Sequence, residues 1–240
     1  STQPLGVQAS KLNITTTGDE ETFVSLESSG ANPLGLGDIG NLGSNGITVV
    51  AENDIVIKGQ VGNGSTTFVD LTSNLGEIDG TSGTTDDTII ASDLILKAAT
   101  GIGAGSSINT KVDQVAASST TGAISLINDN ADNALTIADL NGVTGLSTDG
   151  NIDVTNSGDL DLEQLITDTN LTTDHTITLI AGGSINDTAD DAEATSLRAA
   201  NVAVVADSGV ASTANYLEIE AKQLEGTSDT GGIFVKDINT

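Results

Sequence analysis

The chain has 240 residues, of which 34 are acidic and only seven are Lys or Arg, so its formal charge is −27. A charge of this size and sign excludes nucleic acid and anionic membrane surfaces as partners, because both bind clustered cations. With three Phe, one Tyr, no Trp and no Met, the core must be built from Val, Ile, Leu, Ala and Thr, which is typical of layered β-structure.

The chain contains no Cys, which excludes disulfides and thiolate metal sites. It contains no run of 18 apolar residues, so we expect no membrane insertion. The sequence does not show the pattern of a signal peptide, which is a basic start followed by an apolar stretch and a cleavage site. Because the first residue is Ser1 and not Met, we expect the sequence to be an excised or processed portion of a longer protein.

Short strand-like segments recur along the first half of the chain. Apolar and polar residues alternate with a period of two, which places one set of side chains inward and the other outward. The segments are spaced 24, 22 and 25 positions apart and are centred on Phe23, Ile47, Val69 and Leu94. A second short apolar segment follows each one, at Leu34, Ile55, Ile78 and Ile102. The same pair of segments therefore returns about every 25 residues.

The second half of the chain keeps this pattern. Its first segments are spaced 28, 25 and 25 positions apart and are centred on Ile124, Ile152, Ile177 and Val202. Its second segments lie at Leu135, Leu160, Ile185 and Val210. Turn dipeptides separate the segments, at Asn45-Gly46, Asn63-Gly64 and Asn141-Gly142. No capped amphipathic helix is convincing, and the nearest candidate, 190–200, coincides with a loop and strand position of the repeat.

A longer repeat is superimposed on the shorter one. Residues 93–103 return with small changes as 201–211, which is 108 positions later, and 46–49 return as 150–154. These matches predict one continuous solenoid in three parts. The first repeat covers 1–107, with its N-terminal part in a loop, the second covers 108–215, and the start of a third covers 216–240.

Strands that return at this interval fit either the hairpins of a sandwich or the coils of a β-solenoid. A solenoid stacks equivalent strands in parallel, and each coil supplies the same pair of strands at the same spacing. We therefore predict an all-β fold, a parallel β-helix of about nine coils of about 25 residues, with a repeated sandwich as the alternative. At ~4.8 Å per coil the rod is roughly 40 Å long. In this fold Ile124 stacks near Ile152, Ile177 and Val202.

Three sequence phrases carry a resemblance to a known class of proteins. They are LILKAATGIG at 94–103, VAASSTTG at 115–122 and ALTI at 134–137. Together they resemble repeats of very large bacterial surface exoproteins, the filamentous-haemagglutinin-like and autotransporter-type adhesins. The resemblance implies a right-handed parallel β-helix that is exported to the extracellular cell surface. The secretion-signal domain of such proteins is not visible in this sequence.

Acidic turns are the candidate metal sites. Hard oxygen ligands in flexible turns suit Ca²⁺, although neither an EF-hand loop nor a Gly-rich nonapeptide repeat is present. We favour the interpretation of solvated acidic loops that keep neighbouring rods apart, with Ca²⁺ binding as the alternative. The candidate ligands are Asp79, Asp86, Asp87, Asp129, Asp132, Asp187, Asp190 and Asp191.

Two further motifs have plain structural interpretations. Residues 35–40 fit the G-x-G-x-x-G nucleotide pattern, but no helix pattern follows them, so we predict a turn and strand. His175 is the only histidine, and Asp174 beside it could orient the imidazole. No Cys or Ser elbow accompanies it, so we expect a solvated surface residue at the start of a strand.

Every feature found so far repeats and none is singular, which favours a structural and adhesive function. We expect a segment of a bacterial extracellular surface rod or filament that is not an enzyme.

Open strand edges around 12–26 and 233–236 favour covalent continuation into neighbouring repeats or head-to-tail copies of the chain, with host or matrix glycans as further partners. One alternative is a Ca²⁺-dependent surface-layer or matrix filament subunit. The other is a β-helical polysaccharide-degrading enzyme, which needs convergent carboxylates in one non-repeating groove.

Overall fold

The computed structural model describes residues 5–6, 12–16, 24–28, 32–41, 46–81, 88–130, 133–189 and 195–238. Within these ranges every regular element is a β-strand. No helix in this part of the chain is long and apolar enough to cross a membrane. Short strands rich in Val, Ile, Leu and Thr follow from a composition that contains many β-formers and turn residues.

The strands, in chain order, are β1 (Leu5–Gly6), β2 (Leu12–Thr16), β3 (Val24–Ser28), β4 (Leu34–Asn41), β5 (Ile47–Ala51), β6 (Ile55–Ile57), β7 (Val61–Gly62), β8 (Phe68–Ser73), β9 (Ile78–Asp79), β10 (Thr88–Ile90), β11 (Asp93–Ala98), β12 (Ile108–Lys111), β13 (Gln114–Ser119), β14 (Ile124–Asn128) and β15 (Leu135–Ile137). They continue with β16 (Asp139–Leu140), β17 (Val143–Thr144), β18 (Leu146–Thr148), β19 (Ile152–Asn156), β20 (Leu160–Leu162), β21 (Ile166–Asp168), β22 (Thr176–Ala181), β23 (Ser184–Asp187), β24 (Leu197–Arg198), β25 (Asn201–Ala206), β26 (Gly209–Val210), β27 (Leu217–Glu220), β28 (Gln223–Ser228) and β29 (Val235–Asp237).

These strands stack in parallel as two long sheets. The first sheet has the order β1-β3-β5-β8-β11-β13-β18-β21-β24-β27-β29, and β15, β20, β23 and β26 branch from β13. The second has the order β28-β25-β22-β19-β14-β12-β10-β7-β4-β6-β9, with β2 against β4. Each step along the first path is one turn of the chain, so β5 to β29 make about eight turns. The predicted parallel β-solenoid is confirmed, and the alternative of a repeated sandwich is wrong.

Inward-facing aliphatic ladders form the core. Ile124 pairs with Ile152, Ile152 with Ile177, and Ile177 with Val202, and all four side chains are at most 2% exposed. The predicted stacking of these four residues is therefore confirmed. Outward residues of the same strands alternate with them, so that Ile180 in β22 is 38% exposed. Period-two alternation in the sequence thus corresponds to the inside and outside of the rod.

The second apolar segments also stack as ladders within each half. One ladder is Leu34, Ile55, Ile78 and Ile102. The other is Leu135, Leu160, Ile185 and Val210. Residues 35–40 lie inside β4, the first strand of this series, so the prediction of a turn and strand there is confirmed for the strand.

The strand pattern changes in the middle of the rod. β13 pairs with β15 through its first half and with β18 through its second half. The reverse arrangement occurs at β14, a single strand that pairs with both Ile102 and β12. One long strand therefore continues as two short strands, while two short strands merge into a long one. As a result the two copies of the repeated stretch form β11 in the first sheet and β25 in the second.

A hairpin fills the gap between β15 and β18. β16 and β17 pair antiparallel around Asn141 and Gly142, whose φ angles of 50° and 81° suit a two-residue hairpin turn. The hairpin covers apolar side chains on the outer face of the first sheet. This small outer cluster contains Phe68, Ile95, Ala116, Leu140 and Val143.

Buried amides form a polar corner beside the core. Oδ1 of Asn128 accepts hydrogen bonds from Oγ1 of Thr110 at 2.8 Å and from the backbone N–H of Val112 at 2.9 Å. Nδ2 of Asn128 donates to Oδ1 of Asn156 on the next turn at 2.9 Å. Both Asn side chains are almost fully buried. Because their donors and acceptors are satisfied, the corner can be both polar and dry.

Candidate functional site

The structure describes three of the eight acidic residues predicted as Ca²⁺ ligands. They lie on different strands, with Asp79 ending β9, Asp129 following β14 and Asp187 ending β23, and each has different partners. The other five residues, Asp86, Asp87, Asp132, Asp190 and Asp191, lie outside the described residues.

Asp79 stabilises a neighbouring turn of the backbone. Its Oδ1 accepts hydrogen bonds from the N–H groups of Gly105 at 3.1 Å and Ser106 at 3.5 Å. Glu77 lies close by, and its pKa is raised by burial and then by the negative charge of Asp79. The half-buried carboxylate of Asp79 thus joins one turn of the solenoid to the next.

Asp187 is buried and hydrogen-bonded. Its Oδ1 accepts from the N–H of Ala189 at 3.1 Å, and its Oδ2 accepts from the hydroxyl of Ser196. Burial, reinforced by the charge of Asp187, raises the pKa of Glu218. Our expectation of a solvated acidic loop is therefore wrong for Asp187, because the side chain of this strand-ending residue points into the rod.

Asp129 is the exposed residue of the three. Its side chain is 72% exposed and lies 3.8 Å from Nζ of Lys111. An exposed pair of this kind is screened by water and contributes little to stability. Asp129 fits the expectation of a solvated acidic turn.

The structure brings three other ligand-type residues together at one corner of the solenoid. This His175 corner consists of Asp149, Asp168 and His175, and one ligand atom from each lies within 4.8 Å of the others. Asp149 directly follows β18, Asp168 is the last residue of β21, and His175 directly precedes β22. Because β18 pairs with β21 and β19 with β22, the corner joins two successive turns.

The imidazole of His175 lies among oxygen atoms. Its Nδ1 is 3.3 Å from Oδ1 of Asp168, 3.8 Å from Oδ1 of Asp149 and 2.8 Å from Oγ1 of Thr173. The side chain of His175 is 27% exposed and the residue directly precedes a strand, so the prediction of a surface histidine at a strand start holds, but its ring is only partly solvated. Asp174 does not orient the ring. It is 86% exposed and lies 3.6 Å from Nζ of Lys222.

Asp168 is the unusual member of the corner. Its side chain is 0% exposed, and its Oδ1 accepts a hydrogen bond from the N–H of Asn170 at 2.8 Å. Its Oδ2 is buried and has no hydrogen-bond partner. A buried carboxylate oxygen without a donor is costly, which makes this atom suited to a cation.

Sequence reasoning missed the two carboxylates of the His175 corner. They lie 26 and seven residues before His175, and only the pairing of successive turns brings Asp149 to the imidazole. The register could have suggested this contact if the coil length were known. Turn lengths vary, however, from 18 residues between Leu217 and Val235 to 31 residues between Ile166 and Leu197.

A shallow groove of about 760 Å³ runs along the outer face of the second sheet. It crosses successive strands, and its lining contains the exposed apolar side chain of Ile127 and several polar and charged groups. The charged residues in it are Asp38, Lys111 and Asp129. Oδ1 of Asp38 accepts a hydrogen bond from the N–H of Gln60 at 3.2 Å. The groove can therefore offer both hydrogen bonds and an apolar contact to an extended ligand.

Comparisons with known proteins found no matching family model, no similar curated protein and no similar solved structure. The solenoid itself agrees with a repeat protein. The resemblance to bacterial surface adhesins remains an interpretation of the sequence motifs.

Proposed function

We propose that this chain is a structural and adhesive segment of a bacterial extracellular surface rod or filament. The observation that carries the proposal is the stacking of aliphatic ladders through about eight turns of the described chain. At ~4.8 Å per turn, eight turns extend over ~38 Å. Stacked turns give a stiff body that can carry a binding surface away from a cell or join with others into matrix.

Its proposed partners are neighbouring repeats of the same chain or head-to-tail copies. The described strands stack in parallel along both sheets, and we propose that neighbouring repeats or copies extend this stacking. Repulsion between rods that each carry a charge of −27 opposes their side-by-side packing. The repulsion between two rods that meet end to end is weaker, because fewer charges lie within a Debye length of one another. End-to-end growth is therefore favoured over bundling.

Host or matrix glycans are the proposed adhesive ligands, and the outer groove of the second sheet is the proposed surface. Its polar side chains can bind sugar hydroxyls, and Ile127 supplies an apolar contact. We propose binding without catalysis. Asp129 is exposed beside Lys111, so its carboxylate can accept a hydrogen bond from a sugar hydroxyl.

Two measurements test this proposal. Antibodies against the purified chain should label intact cells of the source organism as strongly as permeabilised cells. The chain coated on beads should bind extracellular polysaccharides without releasing new reducing ends. Labelling that requires permeabilisation would contradict a surface location, and polysaccharide cleavage by the purified chain would favour the enzyme alternative.

The alternative of a Ca²⁺-dependent filament is tested separately. Light scattering of the purified chain at low salt, before and after addition of millimolar Ca²⁺, reports assembly. Particles that grow only with Ca²⁺ would favour this alternative. Particles that grow without Ca²⁺ would favour head-to-tail pairing of strand edges, and a strict monomer under both conditions would contradict both modes of assembly.

A further inference from the structure

We propose that the His175 corner is a binding site for a divalent transition-metal ion of the Zn²⁺ class. The site consists of Nδ1 of His175 and one carboxylate oxygen each from Asp149 and Asp168. This inference is independent of the proposed adhesive function.

The distances suit a small tetrahedral ion. Ligand atoms at ~2.0–2.2 Å from a tetrahedral Zn²⁺ lie ~3.3–3.6 Å from one another. Nδ1 of His175 is 3.3 Å from Oδ1 of Asp168 and 3.8 Å from Oδ1 of Asp149. One of these distances falls within this range and the other is slightly longer, and all three ligand atoms lie within 4.8 Å of one another.

The buried carboxylate of Asp168 is the independent observation that points to a ligand. Its side chain is 0% exposed and its Oδ2 has no hydrogen-bond partner. The ladder around it does not require an acid, because the paired residue on the preceding turn is Thr148. On the following turn, Ala199 comes directly after Arg198, the partner of Thr167. A cation at this corner would place positive charge beside the buried carboxylate, whose Oδ2 otherwise lacks a partner.

The mixture of donors selects the class of metal. Imidazole nitrogen together with carboxylate oxygen is typical of Zn²⁺ and related ions. Ca²⁺ takes six to eight oxygen ligands, and Mg²⁺ retains most of its waters, so three ligands of this kind do not suit either ion. The side chains of Asp149 and His175 are 35% and 27% exposed, which gives water access to a fourth position. Oγ1 of Thr173, 2.8 Å from Nδ1, would have to release the ring when the metal binds.

A bound ion would tie two successive turns together. Asp149 lies between β18 and β19, whereas Asp168 and His175 flank residues 169–174 in the equivalent connection of the next turn. Metal binding would therefore stabilise this connection locally, in the manner of a cross-link.

The single histidine allows a test that does not depend on a variant. In the chain labelled with ¹⁵N-histidine, one equivalent of Zn²⁺ should shift the Nδ1 resonance of His175, and Co²⁺ should give visible absorption of a tetrahedral centre. Millimolar Ca²⁺ should cause neither change. If Zn²⁺ leaves the imidazole resonances unchanged, the corner is only an ion pair between a histidine and two aspartates, and the proposal is wrong.

Variants then locate the ligands. His175→Gln and Asp168→Asn should each weaken Zn²⁺ affinity by ~100-fold or more, since loss of even a group that only supports a ligand costs 10–100-fold. Asp174→Asn is the matched control, because this neighbouring acid is exposed and pairs with Lys222. Circular dichroism checks that each variant is folded. Equal affinity in all three variants would mean that Zn²⁺ binds to surface carboxylates, and would overturn the proposal.

Discussion

Replacement of Ile177 by Ala is the sharpest test of the core. Ile177 lies near the start of β22, is 0% exposed and is paired with Ile152 on one side and Val202 on the other. It is thus surrounded by the ladder along the rod axis and by the other core residues across it. No solvent path can fill the space that the substitution leaves.

The expected cost follows from the atoms removed. Ile177→Ala deletes three carbon atoms, which at ~0.8 kcal/mol per methylene contribute ~2.4 kcal/mol. The neighbouring strands are held by hydrogen bonds on both sides, so they cannot collapse into the gap, and the cavity raises the cost to ~3–4 kcal/mol. The matched control is Ile180→Ala in the same strand, whose outward side chain is 38% exposed. It should cost no more than ~1 kcal/mol.

Hydrogen exchange measured by mass spectrometry can detect this difference turn by turn. A solenoid has mainly nearest-neighbour contacts, so the destabilisation should be greatest in β19, β22 and β25 and should decline towards β5 and β8. Ile177→Asp should unfold these same turns, since it buries a charge in the core. If Ile180→Ala accelerates exchange as much as Ile177→Ala, the assignment of inward and outward faces is wrong.

Three further predictions concern charge, a buried amide and a tight turn. Burial and the neighbouring charge of Asp187 raise the pKa of Glu218, so the folded chain binds this proton more tightly than the unfolded chain. This contribution to stability is present below the ordinary pKa of 4.5 and is lost as pH rises through the raised pKa, so Tm at constant ionic strength should fall over this interval, and Glu218→Gln should flatten the fall. Asn128→Asp replaces a buried N–H donor by a carboxylate oxygen. At neutral pH this should lower the free energy of unfolding, measured by chemical denaturation, by ~2–4 kcal/mol, and in acid the loss should be smaller. An equal loss at both pH values would contradict this. Gly122 and Gly142 have similar φ angles of 78° and 81°, but only at Gly122 would an added Cβ overlap another backbone atom. Gly122→Ala should therefore lower Tm clearly more than Gly142→Ala.

The ladders could be predicted from the sequence because two simple periods define them. Alternation with period two identifies the inward residues, and the return of the pattern about every 25 residues identifies which of them stack. Ile152, Ile177 and Val202 are correctly placed by these two observations alone. The aliphatic composition then predicts an apolar inside, and the stacked aliphatic side chains are indeed almost fully buried.

The exchange of faces in the middle of the rod could not be predicted in this way. Each half keeps its own spacing, so the sequence repeat gives no sign that β13 splits between β15 and β18. The hairpin around Asn141 was recognisable as a turn, but its role in covering Ile95 and Ala116 depends on where the neighbouring turns lie. Contacts between turns depend on register, which loops of variable length hide from a sequence pattern.

The same reasoning explains where a repetitive rod can acquire distinct chemistry. A substitution within a ladder disturbs the turns above and below, because inward residues touch their equivalents on both sides. A corner is less constrained, since connections there change in length while the flanking strands stay in register. Asp168 shows this freedom, for it ends its strand at the position that Thr148 occupies on the preceding turn. Our expectation that no feature of the chain is singular therefore fails at the His175 corner, which is the one group of three His or acidic side chains close enough to share a metal ion in the described part of the chain. Residues that distinguish this segment from similar rods should accordingly be sought at such corners and on the outer groove, while the ladders preserve the shape that carries them.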